Sequence, residues 1–192
     1  MSVDPLGMGD TFFASLPLRA QRVSLRQLEP SDLPAFLDYR SDPAVARYQG
    51  WAPMGEVLAR AFLQEESVRP RRLLPGHWHQ LGIARDGDAA GSLLVGDVGL
   101  WLSPDGEEAE FGISLSARQQ GQGYALEALQ ALMPLLAETT SVGTLKARTD
   151  PRNQACLRLL ERLGMQHMGR RSEMYKGEAC IDELFELQLR RT

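Results

Sequence analysis

The stretch Glu107–Gln130, EEAEFGISLSARQQGQGYALEALQ, decides how this chain folds. Within Glu108 to Ser116, Phe111, Ile113 and Leu115 alternate with Gly112, Ser114 and Ser116, the period of two of a pleated strand. From Ala125 the period lengthens. Ala125, Ala128, Leu129, Leu132 and Leu136 recur at three- and four-residue steps and mark one apolar face of a helix. Between the two lies Arg118-Gln119-Gln120-Gly121-Gln122-Gly123, a strand-to-helix turn. The first N–H groups of a helix have no partner inside it, and the helix dipole places about half a positive charge there. Gly121 and Gly123 carry no Cβ to hold a ligand away, and Arg118 adds a permanent charge. A phosphate or pyrophosphate is the expected guest. A P-loop is excluded because no Lys-Ser or Lys-Thr pair follows these glycines. A dinucleotide fingerprint is excluded because its third glycine falls on Leu126.

The bulk composition sets the frame. A chain of 192 residues with 43% hydrophobic and 24% charged residues is expected to form one soluble domain with a full-sized core. Cys156 and Cys180 have neither metal-ligand nor disulfide-framework spacing, and His77, His79 and His167 are too scattered for a metal site, so no metal is expected. A net charge of −4 argues against nucleic acid as a partner and mildly for cationic acceptors. No positively charged leader and no apolar run near the roughly 20 residues of a membrane span is present, so the reading is cytoplasmic, with no membrane partner.

Taken in order, residues 1 to about 20 read as a Gly/Pro-punctuated extension and 21–192 as a single domain. A strand is expected over 21–28, and a helix capped by Ser31 or Asp32 carries Leu33, Phe36 and Leu37 inward. A short helical piece follows Ser41-Asp42-Pro43, and residues 54–68 are helical, with Val57, Leu58, Ala61, Phe62 and Val68 facing one way. The runs 77–85, 92–103 and 108–116 form an antiparallel meander, turning at Asp86-Gly87-Asp88 and Pro104-Asp105-Gly106. Then come a helix near 122–137, kinked or shortened at Pro134, a strand near 142–149, a helix near 153–163, and strands over 165–175 and 179–189.

The loop fits R/Q-x-x-G-x-G/A, and with it the chain resembles the GNAT superfamily of acetyl-CoA-dependent N-acetyltransferases. Leu25-Arg26-Gln27-Leu28, Asp42 through Tyr48, Ala109-Glu110-Phe111-Gly112-Ile113, and Asn153 through Leu163-Gly164-Met165 are similar to the subgroup related to bacterial ribosomal-protein N-terminal acetyltransferases. The resemblance covers about 21 to 189 and is weakest in the acceptor-binding N-terminal third. It implies an α+β, three-layer fold: a mixed, mostly antiparallel twisted sheet of six to seven strands flanked by about four helices. It also implies an acetyl-CoA co-substrate, an amine acceptor and a possible homodimer. The acceptor is expected to be a protein N-terminal α-amine, with a small-molecule amine (aminoglycoside, polyamine or amino acid) or a non-catalytic acyl-CoA-binding module as alternatives.

The resemblance further assigns roles. Arg118, Gln119, Gln120, Gly121, Gln122, Gly123, Tyr124 and Ala125 would hold the pyrophosphate, while Ile113, Ser114 and Leu115 would offer backbone groups to the pantetheine arm. The N–H of Leu115 would stabilise the oxyanion. Glu110 would take the amine's proton, directly or through water; its alternative reading is a solvated acid in the run Glu107, Glu108, Glu110. Asn153 reads both as a helix cap and as a contact to the cofactor arm. The family's frequent tyrosine acid is Leu160 here, and the subgroup's serine is Cys156, which is either a proton donor or a small core residue. Tyr48, Trp51, Trp78 and Trp101 are candidates for the acceptor wall. No nucleophile with a paired base is visible, so direct transfer is expected.

Overall fold

The computed structural model describes residues 8–85, 93–175 and 178–189. Asp86-Gly87-Asp88 lies outside the described residues. Helix α1 (Met8–Ala14) precedes the strands β1 (Leu18–Arg19) and β2 (Val23–Gln27). Three helices follow: α2 (Leu33–Arg40), α3 (Pro43–Ala46) and α4 (Glu56–Val68). The meander is β3 (Trp78–Arg85), β4 (Leu93–Leu102) and β5 (Glu108–Leu115), and the chain closes with α5 (Tyr124–Thr139), β6 (Thr144–Thr149), α6 (Gln154–Arg162), β7 (Gln166–Tyr175) and β8 (Glu178–Gln188). The strands form one sheet in the order β1-β2-β3-β4-β5-β6-β8-β7, in which only β5 and β6 run parallel.

The mixed three-layer reading holds, with eight strands and six α-helices among the described residues in place of six to seven and about four. The short helical piece expected after Ser41-Asp42-Pro43 is α3, and one addition is β1, two residues that periodicity does not register. The other is α1, in the segment read as an extension. Its Phe12 is fully buried in the same core as Leu129, Leu132 and Leu136 of α5. Residues 8–19 are therefore packed into the fold.

Strand alternation divides the core in two. Leu81 and Ile83 of β3, Val98 and Leu100 of β4, and Phe111 and Leu115 of β5 face α5 and α6. On the other face Phe36 and Tyr39 of α2 pack with Ala59 and Leu63 of α4. The apolar face expected for α4 is corrected: Val57 is 82% exposed and Leu58 65%, and Val68 is also exposed. The stripe that packs inward, against α2, is Ala59, Phe62 and Leu63, an i, i+3, i+4 set. Asp32 does not cap α2; it binds the Arg26 guanidinium through both oxygens, at 2.6 and 2.8 Å, and accepts from the Glu29 N–H. Pro134 does not break α5, which runs 16 residues through it. Pro134 and Gln130, whose carbonyl loses the bond, both lie on the exposed side where water can replace it. The expected turn at 104–106 is present, with Gly106 at φ 74° and its N–H donating to Ser103.

Two features set up the functional region. Pairing between β5 and β6 stops after Glu108↔Thr144, Ala109↔Leu145 and Glu110↔Lys146. Each strand then keeps its outer partner, β5 with β4 as far as Leu115↔Gly96 and β6 with β8 as far as Thr149↔Glu183. The sheet opens into a wedge. The second feature is a clamp on the start of α5. The Glu127 carboxylate accepts from the backbone N–H groups of Arg22 and Val23 and from Arg22 Nε (2.8 Å), and Arg22 Nη1 donates to the Gln122 carbonyl at 3.0 Å. The Arg22 guanidinium also lies over the Tyr124 ring.

Burial alone would raise the Glu127 carboxyl, but the donors from Arg22 and Val23 hold it below the ordinary glutamate value. Its stabilising effect is complete above about pH 4.3 and is lost as pH falls through the lowered folded value. Replacing Glu127 by Ala should cost about 1–3 kcal/mol at pH 7, as donors are left unpaired. Urea unfolding should show the gap between wild type and variant closing as the pH is lowered past 4.

Candidate active site

The wedge is flanked by two cavities. The first, about 610 Å³, runs from Gln120, Gly121, Gly123, Ala125 and Leu126 along β5 to the start of α6. The second, about 740 Å³, lies over the β3–β4–β5 face beneath Tyr48, Trp51 and Phe62. Tyr48, Gln49, Phe111, Gly112, Ser114 and Arg148 line both, so the two spaces meet where β5 and β6 part.

The first cavity is built for an anion. Gly121 and Gly123 take left-handed conformations, φ 72° and 86°, which non-glycine residues avoid. A Cβ on Gly121 would meet nothing within 4 Å, leaving the backbone open to a ligand. The α5 ladder begins with the Glu127 N–H donating to Gly123, and the N–H groups from Gly121 to Leu126 have no partner among the described residues. Arg148, Arg152, Arg158 and Arg162 line this cavity and no carboxylate does. Arg158 and Arg162, one turn apart on α6, form no ion pair among the described residues.

The expected phosphate loop divides. Gln120, Gly121, Gly123 and Ala125 line the cavity, whereas Arg118, Gln119, Gln122 and Tyr124 do not. Arg118 is exposed and its carbonyl accepts from Gln122 Nε2; the Tyr124 ring turns into the core. The N–H groups of Gln122 and Tyr124 still belong to the unpaired set.

Along β5 the ladder fixes which backbone groups are available. Ser116 donates to Val95 and Ser103 to Glu108, so even-numbered residues bond β4 and odd-numbered ones face the wedge. The ladder takes Ser114's backbone groups, while Ile113 and Leu115 turn theirs outward. Their carbonyls are met by Gln49 Nε2 and Gln120 Nε2, each at 3.0 Å.

Asn153 caps α6, its Oδ1 accepting from the Cys156 N–H at 3.2 Å, and both residues line the first cavity. Burial raises the Cys156 thiol above its usual value, and a hydrogen bond with Thr149 opposes this only in part. Leu160, which carries no titratable group, is fully buried and lines neither cavity. Glu110 faces the second cavity with Oε1 held by Arg148 Nε at 2.9 Å; Arg148 also reaches Asp182 at 3.7 Å. Burial raises the Asp182 carboxyl, against the pull of Arg148. Tyr48, Trp51 and Trp78 line the second cavity, while Trp101 lines neither. His79 is structural: it is buried, accepts from the Leu74 N–H at 2.8 Å, and its burial lowers its proton affinity.

Sequence reasoning missed Gln49, Arg158, Arg162 and the Arg22–Glu127 clamp. The i, i+4 spacing of Arg158 and Arg162 on a predicted helix was the one available signal. Among the described residues no cluster of three or more His, Cys, Asp or Glu could hold a metal ion, and no helix is long and apolar enough to cross a membrane.

Comparison with known proteins agrees with this geometry. The family model for the acetyltransferase (GNAT) domain matches residues 22–166. The N-acetyltransferase p20 of Bacillus licheniformis, itself uncharacterized, is 25% identical over 175 residues, covering 90% of this chain and 94% of p20. Among solved structures, RimL, a ribosomal L7/L12 alpha-N-protein acetyltransferase in complex with coenzyme A, superposes with a TM-score of 0.75. It shares 19% identity over 90% of this chain and 97% of its own. Spermidine N-acetyltransferase from Vibrio cholerae, in complex with CoA and spermine, gives 0.72 at 16% identity over 88% and 97%. The chain belongs to the GNAT acetyltransferase family. It is an acetyl-CoA-dependent acyltransferase, and the glycine cradle, unpaired N–H groups and arginines of the first cavity fit that polyanionic co-substrate.

Replacing Arg158 and Arg162 together by Gln should weaken acetyl-CoA binding about tenfold, equivalent to about 1.4 kcal/mol, a typical charge-assisted hydrogen bond. Calorimetric titration at two salt concentrations would check it, the deficit of the variant shrinking at high salt.

Proposed function

We propose that this N-acetyltransferase transfers the acetyl group to a protein N-terminal α-amine. The observation that carries the reading is the meeting of the two cavities beside Gly112, with an anion cradle on one side and the Glu110 carboxylate on the other. An α-amine, with a pKa near 8, is appreciably neutral at physiological pH; a lysine at about 10.4 is not. A single carboxylate oxygen left free by Arg148, working directly or through water, suits the easier amine. The activity named for RimL supports the same choice, and that of the spermidine enzyme supports a small polyamine as the second reading.

Acetyl-CoA supplies the thioester carbonyl at which the amine is acylated. The N–H groups of 121–126 and the α6 arginines bind its phosphates, and Asn153 and Leu115 border its arm. Glu110 and Leu115 lie five residues apart on an extended strand, roughly 17 Å, too far to serve one carbonyl. Ile113, roughly 10 Å from Glu110, turns its N–H to the same wedge, so we assign oxyanion stabilisation to Ile113 and leave Leu115 with the cofactor arm. Glu110 takes the amine's proton. Cys156, kept protonated by burial, holds a proton for the departing sulfur and is not poised as a nucleophile.

Glu110→Gln should leave acetyl-CoA affinity unchanged and lower kcat about a hundredfold. Equal rates for variant and wild type across pH would remove Glu110 from the mechanism. Gly123→Val should abolish cofactor binding, since it forces a β-branched residue to positive φ and sets its Cβ 3.3 Å from Arg22 Nη2.

A further inference from the structure

The second cavity lies over three rows of paired residues across β3, β4 and β5, all of which line it except Trp101 and Gly82. The rows are Trp78↔Trp101↔Glu110, Gln80↔Gly99↔Gly112 and Gly82↔Asp97↔Ser114. The middle row is hollow at Gly112, while the Gln80 side chain and the Trp78 ring lie over Gly99. A Cβ on Gly99 would press on Gln80 Oε1 at 3.0 Å and the Trp78 ring at 3.2 Å, whereas one on Gly112 would meet nothing within 4 Å. An acceptor lying over this hollow has Glu110 on one side and the Asp97–Ser114 row on the other.

Asp97 is 1% exposed, and all its hydrogen bonds fall on one oxygen. Oδ2 accepts from the Tyr39 hydroxyl (2.6 Å), Arg40 Nε (3.0 Å) and Arg40 Nη2 (2.6 Å). Arg40 is itself pinned: its guanidinium stacks 4.4 Å from the Trp51 ring and 5.1 Å from Phe36. Oδ1 has no partner among the described residues, yet it is not among the sealed, unsatisfied buried atoms, so it opens on the cavity that Asp97 lines. The Ser114 hydroxyl, directly across the ladder in a residue 5% exposed, is in the same condition. A carboxylate oxygen can only accept, and a buried acceptor left empty is costly. This one is fixed in place before any ligand arrives.

We infer that Asp97 is a specificity-determining residue. Its Oδ1, with the Ser114 hydroxyl beside it, receives a second N–H donor of the acceptor, two strand residues or roughly 7 Å beyond the Gly112 position. The inference rests on the N-acetyltransferase reading and narrows its substrate class. In an extended peptide the second backbone N–H after the terminal amine lies roughly 7 Å from it, at the rise of 3.2–3.4 Å per residue. The acceptor thus presents an α-amine to the wedge and that amide N–H to Asp97.

The test compares alanyl-alanine N-methylamide with alanyl-alanine methyl ester, which puts an oxygen where that N–H stands. Wild type should favour the amide in kcat/KM by about tenfold or more, because a site built for an N–H rejects the analogue without it. Asp97→Asn keeps the shape and an oxygen for Arg40 and Tyr39, but turns the cavity-facing atom into a donor. It should bring the amide-to-ester ratio close to one while acetyl-CoA affinity stays within twofold. Should that variant fail to fold, Ser114→Ala at saturating acetyl-CoA should reduce the ratio several-fold. A wild type indifferent between amide and ester, or a ratio unchanged in the variants, would overturn the inference alone. A wild type that binds acetyl-CoA but acetylates no amine would overturn the functional reading beneath it.

Discussion

The structure turns on three residue pairs. β5 and β6 hold together from Glu108 to Glu110 and then separate, because each keeps its antiparallel partner on the far side. Antiparallel pairing is the more stable of the two per residue, and the single parallel seam is where the sheet yields. Ion pairs tie the closed end of the wedge: Lys146 with Glu108 at 2.7 Å and Arg148 with Glu110 at 2.9 Å. Beyond them Ile113 and Leu115 present unclaimed N–H groups, and the space between the strands connects the two faces of the sheet. A transferase needs such a connection, since donor and acceptor must reach one point from opposite sides.

Charge follows the same division. The chain is net acidic at −4, yet every charged residue lining the cavity on the α5–α6 side is an arginine. Across the wedge the pattern changes to paired charges, Arg148 with Glu110 and Arg40 with Asp97, among aromatic walls. Low dielectric makes each of these groups count for more than it would in water. The first cavity can attract a polyanion, and the second offers hydrogen-bonding groups and paired charges in place of net charge.

Much of this was legible in Glu107–Gln130. The switch from a period of two to one of 3.6, with two glycines at the junction, located β5, α5 and the open N–H groups between them. Other parts left no local trace. The burial of Phe12 depends on α5, more than a hundred residues away, and the clamp of Glu127 on Arg22 joins elements equally remote. On α4, alternative apolar stripes compete, and packing against α2 selects Ala59, Phe62 and Leu63 over Val57 and Leu58. Position in a motif puts the oxyanion role at Leu115, and strand rise measured from Glu110 is why we propose Ile113 for it. Asp97 was invisible for a different reason: one acid in an apolar run carries no period, and its meaning comes from Arg40 and Tyr39 on another element.

If the wedge and the glycine cradle together form an acetyl-CoA site, calorimetric titration of the full chain with acetyl-CoA, alongside ATP and NAD, should show it. Acetyl-CoA should bind saturably, one to one, with ATP and NAD weaker by at least an order of magnitude because neither carries an arm to fill the wedge. Equal affinity for all three would mean that the cradle reads phosphate alone, and no binding of acetyl-CoA would mean that the wedge and cradle do not form such a site.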